Sequence, residues 1–229
     1  MTNPVSCFLV QKMMGYLYIL HMSQQADLLD QIRLNFSKLS LSPYGYHVVK
    51  AAIVHLCWDQ KEALILELEN KTMLLSLVKS KYGTFIGQAC IPYFRSRTLT
   101  YLVNSLLGHV VDLSCHPSAT YFIQQFLTQW GQSSLMDLLD DDILRHIRDL
   151  VHHPQGAYVV QALLRVRGDY AHLTMLTEWI VSNIQAVYKD KSAIQVVRGV
   201  VYLLSDKTAG KRIAQGNKLL NTIIERMLQ

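Results

Sequence analysis

The sequence predicts an all-α protein, a right-handed superhelical solenoid of stacked helical repeats. Three observations carry that prediction. Six segments, residues 3–11, 42–50, 80–88, 116–124, 153–161 and 190–198, repeat one pattern in one register. The sixth residue of each is Phe8, His47, Phe85, Tyr121, Tyr158 and Gln195, which sets a period of 36 to 39 residues. No stretch alternates apolar and polar residues as a half-buried strand would. A fixed period of this size marks a solenoid, and it lies just under the armadillo range and above the ankyrin and tetratricopeptide ones.

Each segment reads as the start of a helix. Asn3, Ser42, Ser80 and Asp190 carry side-chain oxygens suited to the N-cap. Pro4, Pro43, Pro117 and Pro154 follow caps, at the first helical position, where a missing N–H costs nothing. The fourth residue is always small (Ser6, Gly45, Gly83, Ala119, Gly156, Ala193), which lets a neighbouring helix approach. Counting on from it at about 100° per residue, the third, fourth, seventh and eighth positions share an arc. These are Leu9, Val10, Met13 and Met14 in the first segment and Val48, Val49, Ala52 and Ile53 in the second. The series continues with Ile86, Gly87, Cys90 and Ile91, then Phe122, Ile123, Phe126 and Leu127. It closes with Val159, Val160, Leu163 and Leu164, and Val196, Val197, Val200 and Val201. Nearly all are apolar, as a buried face requires. Positions one, two and five fall on the opposite arc, so the aromatic at position two is not needed for the core. Between the segments, residues 26–39, 61–79, 98–113, 135–151, 172–186 and 212–228 read as further helix, giving two or three helices per unit.

The chain has 229 residues, half of them hydrophobic and 17% charged, which argues against disorder. No linker divides it, so residues 1–229 are expected to form one domain. A formal charge of +5 tilts it toward anionic partners. The apolar stretch 13–22 is interrupted upstream by Lys12 and lacks a basic lead or cleavage site, so it reads as repeat core and not as a signal peptide. No uncharged stretch is long enough to span a bilayer, and an intracellular protein is expected. Cys7, Cys57, Cys90 and Cys115 show no metal or disulfide spacing.

His146, His152 and His153 lie near Asp149, but a helix junction with His153 at a cap accounts for them better than a metal. The acidic run 140–142 reads as the opening of a helix, complementing its dipole. No catalytic or phosphate-loop motif is present, so an enzyme is not expected and no cofactor is called for. What remains is a planar side chain beside a polar one, repeated, and that pairing suits unstacked bases.

The motifs Tyr-Gly-Tyr-His-Val-Val-Lys (44–50), Tyr-Gly-Thr-Phe-Ile-Gly-Gln (82–88) and Pro-Gln-Gly-Ala-Tyr-Val-Val-Gln (154–161) resemble the Pumilio (PUF) repeat family of RNA-binding proteins. The resemblance covers essentially the whole chain. It implies stacking residues Phe8, His47, Phe85, Tyr121 and Tyr158 lining a concave face. It implies base-edge pairs Cys7 with Gln11, Tyr46 with Lys50, Thr84 with Gln88, Thr120 with Gln124, and Ala157 with Gln161. One repeat would read one base, with the RNA antiparallel to the chain. Cys7 with Gln11 would favour adenine, and the two Thr–Gln pairs adenine or uracil. Lys79, Lys81 and Arg198 are candidate phosphate contacts.

Departures from the family pattern are also legible. Members typically have eight repeats; here five are regular and the sixth, with Ile194, Gln195 and Arg198, is degenerate. Lys50 replaces the usual glutamine, which favours a phosphate or a loosened specificity. The first motif, starting at residue 3, lacks a preceding helix, which leaves open a fragment, a short form, or a start lying upstream. The motifs Asn-Pro-Val-Ser-Cys-Phe-Leu-Val-Gln-Lys-Met-Met (3–14) and Tyr-Gly-Thr-Phe-Ile-Gly-Gln-Ala-Cys (82–90) are similar to those of the nucleolar protein nine group. That implies pre-ribosomal RNA processing in small-subunit biogenesis, in the nucleolus. The alternatives are a cytoplasmic translational repressor bound to mRNA 3′ ends and an armadillo- or HEAT-like protein scaffold. The tryptophans, Trp58, Trp130 and Trp179, lie outside the motif column, which weakens the scaffold reading. A monomer, with protein partners on the convex face and no membrane association, is expected.

Overall fold

In the computed structural model, residues 3–16, 22–167, 176 and 178–205 are described. Every regular element among them is helical. In chain order these are α1 (Pro4–Met14), α2 (Met22–Leu34), α3 (Phe36–Ser40), α4 (Gly45–His55), α5 (Trp58–Ile65), α6 (Lys71–Lys79), α7 (Gly83–Cys90) and α8 (Ser96–Leu106). There follow α9 (Val110–Cys115), α10 (Ala119–Trp130), α11 (Asp137–Arg145), α12 (Ile147–His152), α13 (Gly156–Arg167), α14 (Ile184–Lys189) and α15 (Lys191–Ser205). The repeat is therefore three helices, as in α2–α3–α4 or α11–α12–α13. The expected segment 212–228 and residues 172–175 and 177 of the segment 172–186 lie outside the described residues.

The intervening helices differ from the sequence reading in being broken. The stretch 61–79 divides into α5, a short 3₁₀ turn and α6, because Asn70 starts a new helix by accepting the Met73 amide at 3.0 Å. The stretch 98–113 breaks at Gly108, whose φ of 71° is left-handed and open to glycine without strain. The Gly108 amide donates to Asp142 Oδ2 at 3.3 Å. The stretch 135–151 breaks at His146, and its helix opens at Asp137, so of the acidic run 140–142 Asp140 falls in the first turn of α11 and Asp141 and Asp142 lie further along.

The chain divides into two compact units. One comprises Met1–Leu107 with Pro117–Gln125, the other Gly108–His116 with Phe126–Gln229. In the first, α1 packs on α4 and α4 on α7, so successive motif helices lie side by side. In the second, α13 packs on α12 and on α15. The residues from Val48 to Val200 expected in the core are buried, and Val201 is half-buried. Burial pushes the Cys90 thiol up to about 12, which marks it as a packing group and no nucleophile.

The first motif is the exception. Leu9 and Met13 are exposed and Val10 is half-buried, although Met14 is buried. Ser6 is exposed as well. The motif pattern is met, but among the described residues no helix pair precedes α1 to cover that arc. Within the stretch 13–22, Tyr16 is exposed and residues 17–21 lie outside the described set.

The small fourth residue has a clear cause. A Cβ on Gly45, Gly83 or Gly156 would stand 2.6, 2.5 or 2.7 Å from the carbonyl oxygen of Leu39, Leu77 or Leu150. Each motif helix thus begins directly against the backbone of the helix before it. The caps work through a turn. Ser42 Oγ accepts the Gly45 amide at 3.2 Å, and Ser80 Oγ accepts that of Gly83 at 3.2 Å. His153 Nδ1 does the same for Gly156 at 3.3 Å, and Asp190 Oδ1 accepts the Ser192 amide at 2.7 Å. Only Pro4 sits at a first helical position; Pro43, Pro117 and Pro154 stand in the preceding turn. The turn keeps the serine or histidine close enough to bond the helix start while the glycine meets the neighbouring backbone.

Candidate nucleic-acid interface

Opposite the buried faces of the motif helices, the residues at position two stand in solvent. Phe8, Phe85, Tyr121 and Tyr158 are 61%, 44%, 59% and 54% exposed. His47 is exposed too, as is Gln195 in the degenerate motif. Large aromatic side chains left in solvent at one position of successive repeats are not required for folding. In the first unit α1 and α4 flank an open groove of about 650 Å³ lined by Phe8, Gln11, His47 and Lys50. A second recess of about 320 Å³ joins Cys7, Phe8, Gln11 and His47. Lys12 Nζ stands 5.5 Å from the Phe8 ring centre, and Lys81 Nζ 5.8 Å from that of Tyr82. Lys79, Lys81, Lys50 and Arg198 are all exposed.

Position one is where the arc argument fails. Cys7, Thr84, Thr120 and Ala157 are buried, and Tyr46 is half-buried. Side-by-side packing of the motif helices covers this position, so the open strip is narrower than positions one, two and five together. Desolvation raises the Cys7 thiol above its ordinary value.

The buried threonines have a different task from the one expected. Thr84 Oγ1 donates to the Ser118 carbonyl at 3.1 Å, within the first unit. Its single proton is then committed, so toward Gln88 it can only accept. Gln88 Nε2 donates to it at 3.3 Å. The amide nitrogen therefore faces inward, and Oε1 is the group turned away from the threonine. Gln124 Nε2 donates to Thr120 Oγ1 at 3.1 Å in the same way. The sequence held the signal: a hydroxyl and an amide four residues apart on a helix are neighbours. In the second unit the equivalent of Thr84 is Ala157, and Gln161 Nε2 is buried with no hydrogen-bond partner among the described residues. The Gln161 side chain lies under Gly199, where a Cβ would meet its Cγ at 3.3 Å.

Tyr46 also departs from the edge-reading role. Its ring lies within the aromatic column, with centroids 3.9 Å from His47 and 5.6 Å from Phe85. The motif Tyr-His-Val-Val-Lys does not reveal this, because it depends on the side-chain rotamer.

The histidine group near Asp149 is held by structural bonds. His146 Nδ1 meets the Asp142 carbonyl at 2.9 Å, His152 Nδ1 meets Asp190 Oδ2 at 2.6 Å, and His153 caps α13. No group of three or more metal-ligating side chains occurs among the described residues.

Residues 109–134 match the sequence profile of the Pumilio-family RNA binding repeat. No curated protein sequence matches the chain significantly. Among solved structures, the fold is similar to the RNA-binding domain of yeast Puf5p bound to SMX2 RNA. The TM-score is 0.76 at 19% identity, over 97% of this chain and 64% of that one. It is also similar to the Puf3 RNA binding domain bound to a Cox17 RNA site, with a TM-score of 0.80 at 18% identity, over 98% and 62%. For PUF-8 in complex with PBE-RNA the TM-score is 0.77 at 15% identity, over 98% and 70%. The chain thus spans less than two thirds of the first two domains. The fold is the all-α, Pumilio-type repeat solenoid.

Proposed function

We propose that this chain binds single-stranded RNA, holding bases against the exposed planar side chains of its motif helices. The observation that carries the reading is the recurrence of Phe8, His47, Phe85, Tyr121 and Tyr158 in solvent at one repeat position. A base stacked on such a ring gains about 1–3 kcal/mol with little dependence on its identity. Gln11, Gln88, Gln124 and Gln161 stand one turn along and offer an amide to base edges. Behind them Cys7, Thr84, Thr120 and Ala157 shape what those amides present. Lys79, Lys81 and Arg198, all exposed, are our candidates for phosphate contacts. The reading is supported by the profile match at 109–134 and by a fold similar to domains solved with RNA. It is a binding function, without catalysis or cofactor.

For the RNA itself we favour a pre-ribosomal transcript in small-subunit maturation, and hence a nucleolar site of action. Support comes from the likeness of residues 3–14 and 82–90 to the nucleolar protein nine group. Sequencing of RNA crosslinked to the protein in cells decides this finer point. Pre-ribosomal reads support it, and mRNA 3′ ends replace it with a repressor role.

The binding reading is tested with fluorescently labelled single-stranded RNA and Phe85→Ala/Tyr121→Ala. Removing two stacking rings takes away at least about 2 kcal/mol, so affinity falls roughly thirtyfold or more while helicity is unchanged. Wild-type affinity also falls with added salt. Unchanged affinity in the double variant overturns the stacking arrangement. Retention of a protein and no RNA turns the surface into a protein-docking one.

A further inference from the structure

The step between the second and third motif helices is filled by the protein itself. The Tyr46 ring lies 3.9 Å from His47 at an interplanar angle of 34°. It lies 5.6 Å from Phe85 at 28° and 5.7 Å from Tyr82 at 23°. A base sandwiched between planar groups needs about 3.5–4 Å on each face, so roughly 7–8 Å between the rings. Neither the gap from Tyr46 to His47 nor that from Tyr46 to Phe85 provides it. The step before differs: between Phe8 and His47 the recess of about 320 Å³ is open, with Cys7 and Gln11 on its wall.

A second observation sits on the same helix. The position held by Gln11, Gln88, Gln124 and Gln161 is Lys50 in this repeat. An ammonium group donates only and cannot match a base edge that offers both a donor and an acceptor. It suits a phosphate. The second repeat therefore has a planar group of its own in the column and a cation where the first, third, fourth and fifth repeats have an amide.

Resting on the RNA reading above, we propose that Tyr46 stands in for a nucleobase. Its ring continues the stack from His47 to Phe85. The bound RNA passes this repeat with one nucleotide unstacked and turned outward, its phosphate next to Lys50. The recognised sequence is then two runs of read bases separated by one nucleotide of indifferent identity.

The test uses an RNA selected from a random pool on the wild-type protein. Each nucleotide is replaced in turn by an abasic one, and, separately, by fluorescent 2-aminopurine. One interior nucleotide is expected to tolerate abasic replacement within about twofold, while those on both sides lose roughly tenfold. 2-Aminopurine stays bright at that nucleotide and is quenched at its neighbours. In Tyr46→Ala the same nucleotide becomes quenched and sensitive to base removal, whereas Tyr46→Phe keeps the wild-type map. The inference is overturned if every interior nucleotide of the wild-type complex is quenched and sensitive. It is equally overturned if a folded Tyr46→Ala leaves the map unchanged. The wild-type map decides alone should that variant not fold. Failure of the wild type to select any RNA refutes the RNA reading, and this inference with it, and differs visibly from an RNA stacked at every step.

Discussion

In the first unit, the Gln88 amide is tied to Thr84, whose hydroxyl is itself committed to the Ser118 carbonyl. In the second unit, Gln161 holds the same repeat position but has Ala157 behind it, and its amide nitrogen is buried without a partner among the described residues. Both motif helices begin against the backbone of the helix before them, and at position one they differ by a hydroxyl and a methyl. That hydroxyl fixes the order in which the amide offers acceptor and donor. On the proposed function, a fixed amide would meet a base edge in one order, whereas the Gln161 amide, packed under Gly199, has no hydroxyl to set its order. On the proposed RNA-binding function, the residue at position one would govern reading from beneath the surface, through the glutamine it holds. The untied amide also carries a cost, since a buried donor left unpaired loses about 1–3 kcal/mol.

The comparison assumes a shared chassis, and that is where the largest effects lie. Gly83→Ala and Gly156→Ala each drive a Cβ against a backbone oxygen, at 2.5 and 2.7 Å. Each is expected to lose about 2–3 kcal/mol in urea unfolding. Unequal losses would show that the two units do not begin their motif helices in the same way.

Thr84→Val keeps the shape and removes the tie. It leaves the Gln88 amide and the Ser118 carbonyl each short of one partner, and about 1–2 kcal/mol of stability is lost. NMR of the Gln88 side-chain amide should show its two protons changing shift and protection. Retention of both stability and the amide spectrum would mean that the threonine packs without tying. Ala157→Ser runs the comparison in reverse. It supplies the missing acceptor at small added volume and raises stability by about 0.5–1 kcal/mol. A loss would mean the site is too tight for the hydroxyl.

The smallest effect concerns the tie between α12 and α15 in the second unit. Burial works against the Asp190 carboxylate. The hydrogen bonds from His152 at 2.6 Å and from the Ser192 and Ala193 amides outweigh it and hold the pKa below the ordinary 3.8. The carboxylate binds protons less readily folded than unfolded. Its contribution is complete above the unfolded value and disappears as pH falls through the lower folded one. Asp190→Asn should therefore flatten the stability–pH curve below about pH 4. A curve parallel to wild type would assign the acid sensitivity elsewhere.

Much of this was legible from residues alone. The period and the valine and isoleucine pairs at positions three and four settle the motif helices, because a 3.6-residue periodicity cannot be hidden. The breaks at Asn70, Gly108 and His146 were less visible, since two short helices in line carry nearly the same apolar pattern as one long one. Leu9 and Met13 have the core pattern and are exposed, because burial needs a neighbour as well as a pattern. Position two was placed in solvent correctly for Phe8, Phe85, Tyr121 and Tyr158, whereas at position five Gln11 and Lys50 are exposed and Gln88, Gln124 and Gln161 are half-buried. Position one was not, because a helical wheel shows one helix, whereas Thr84 is held against the next motif segment through Ser118.

The sequence by itself determined that the chain is a helical repeat, where each motif helix lies, and which aromatic residues the core does not consume. Those properties are local, set by periodicity and by the size of single side chains. Only the tertiary structure decided that Thr84 ties Gln88, that Gln161 has no such tie, and that the Tyr46 ring joins the column beside His47 and Phe85. A hydrogen bond or a ring contact depends on rotamers and on the distance between separate repeats, and no one-dimensional pattern contains either.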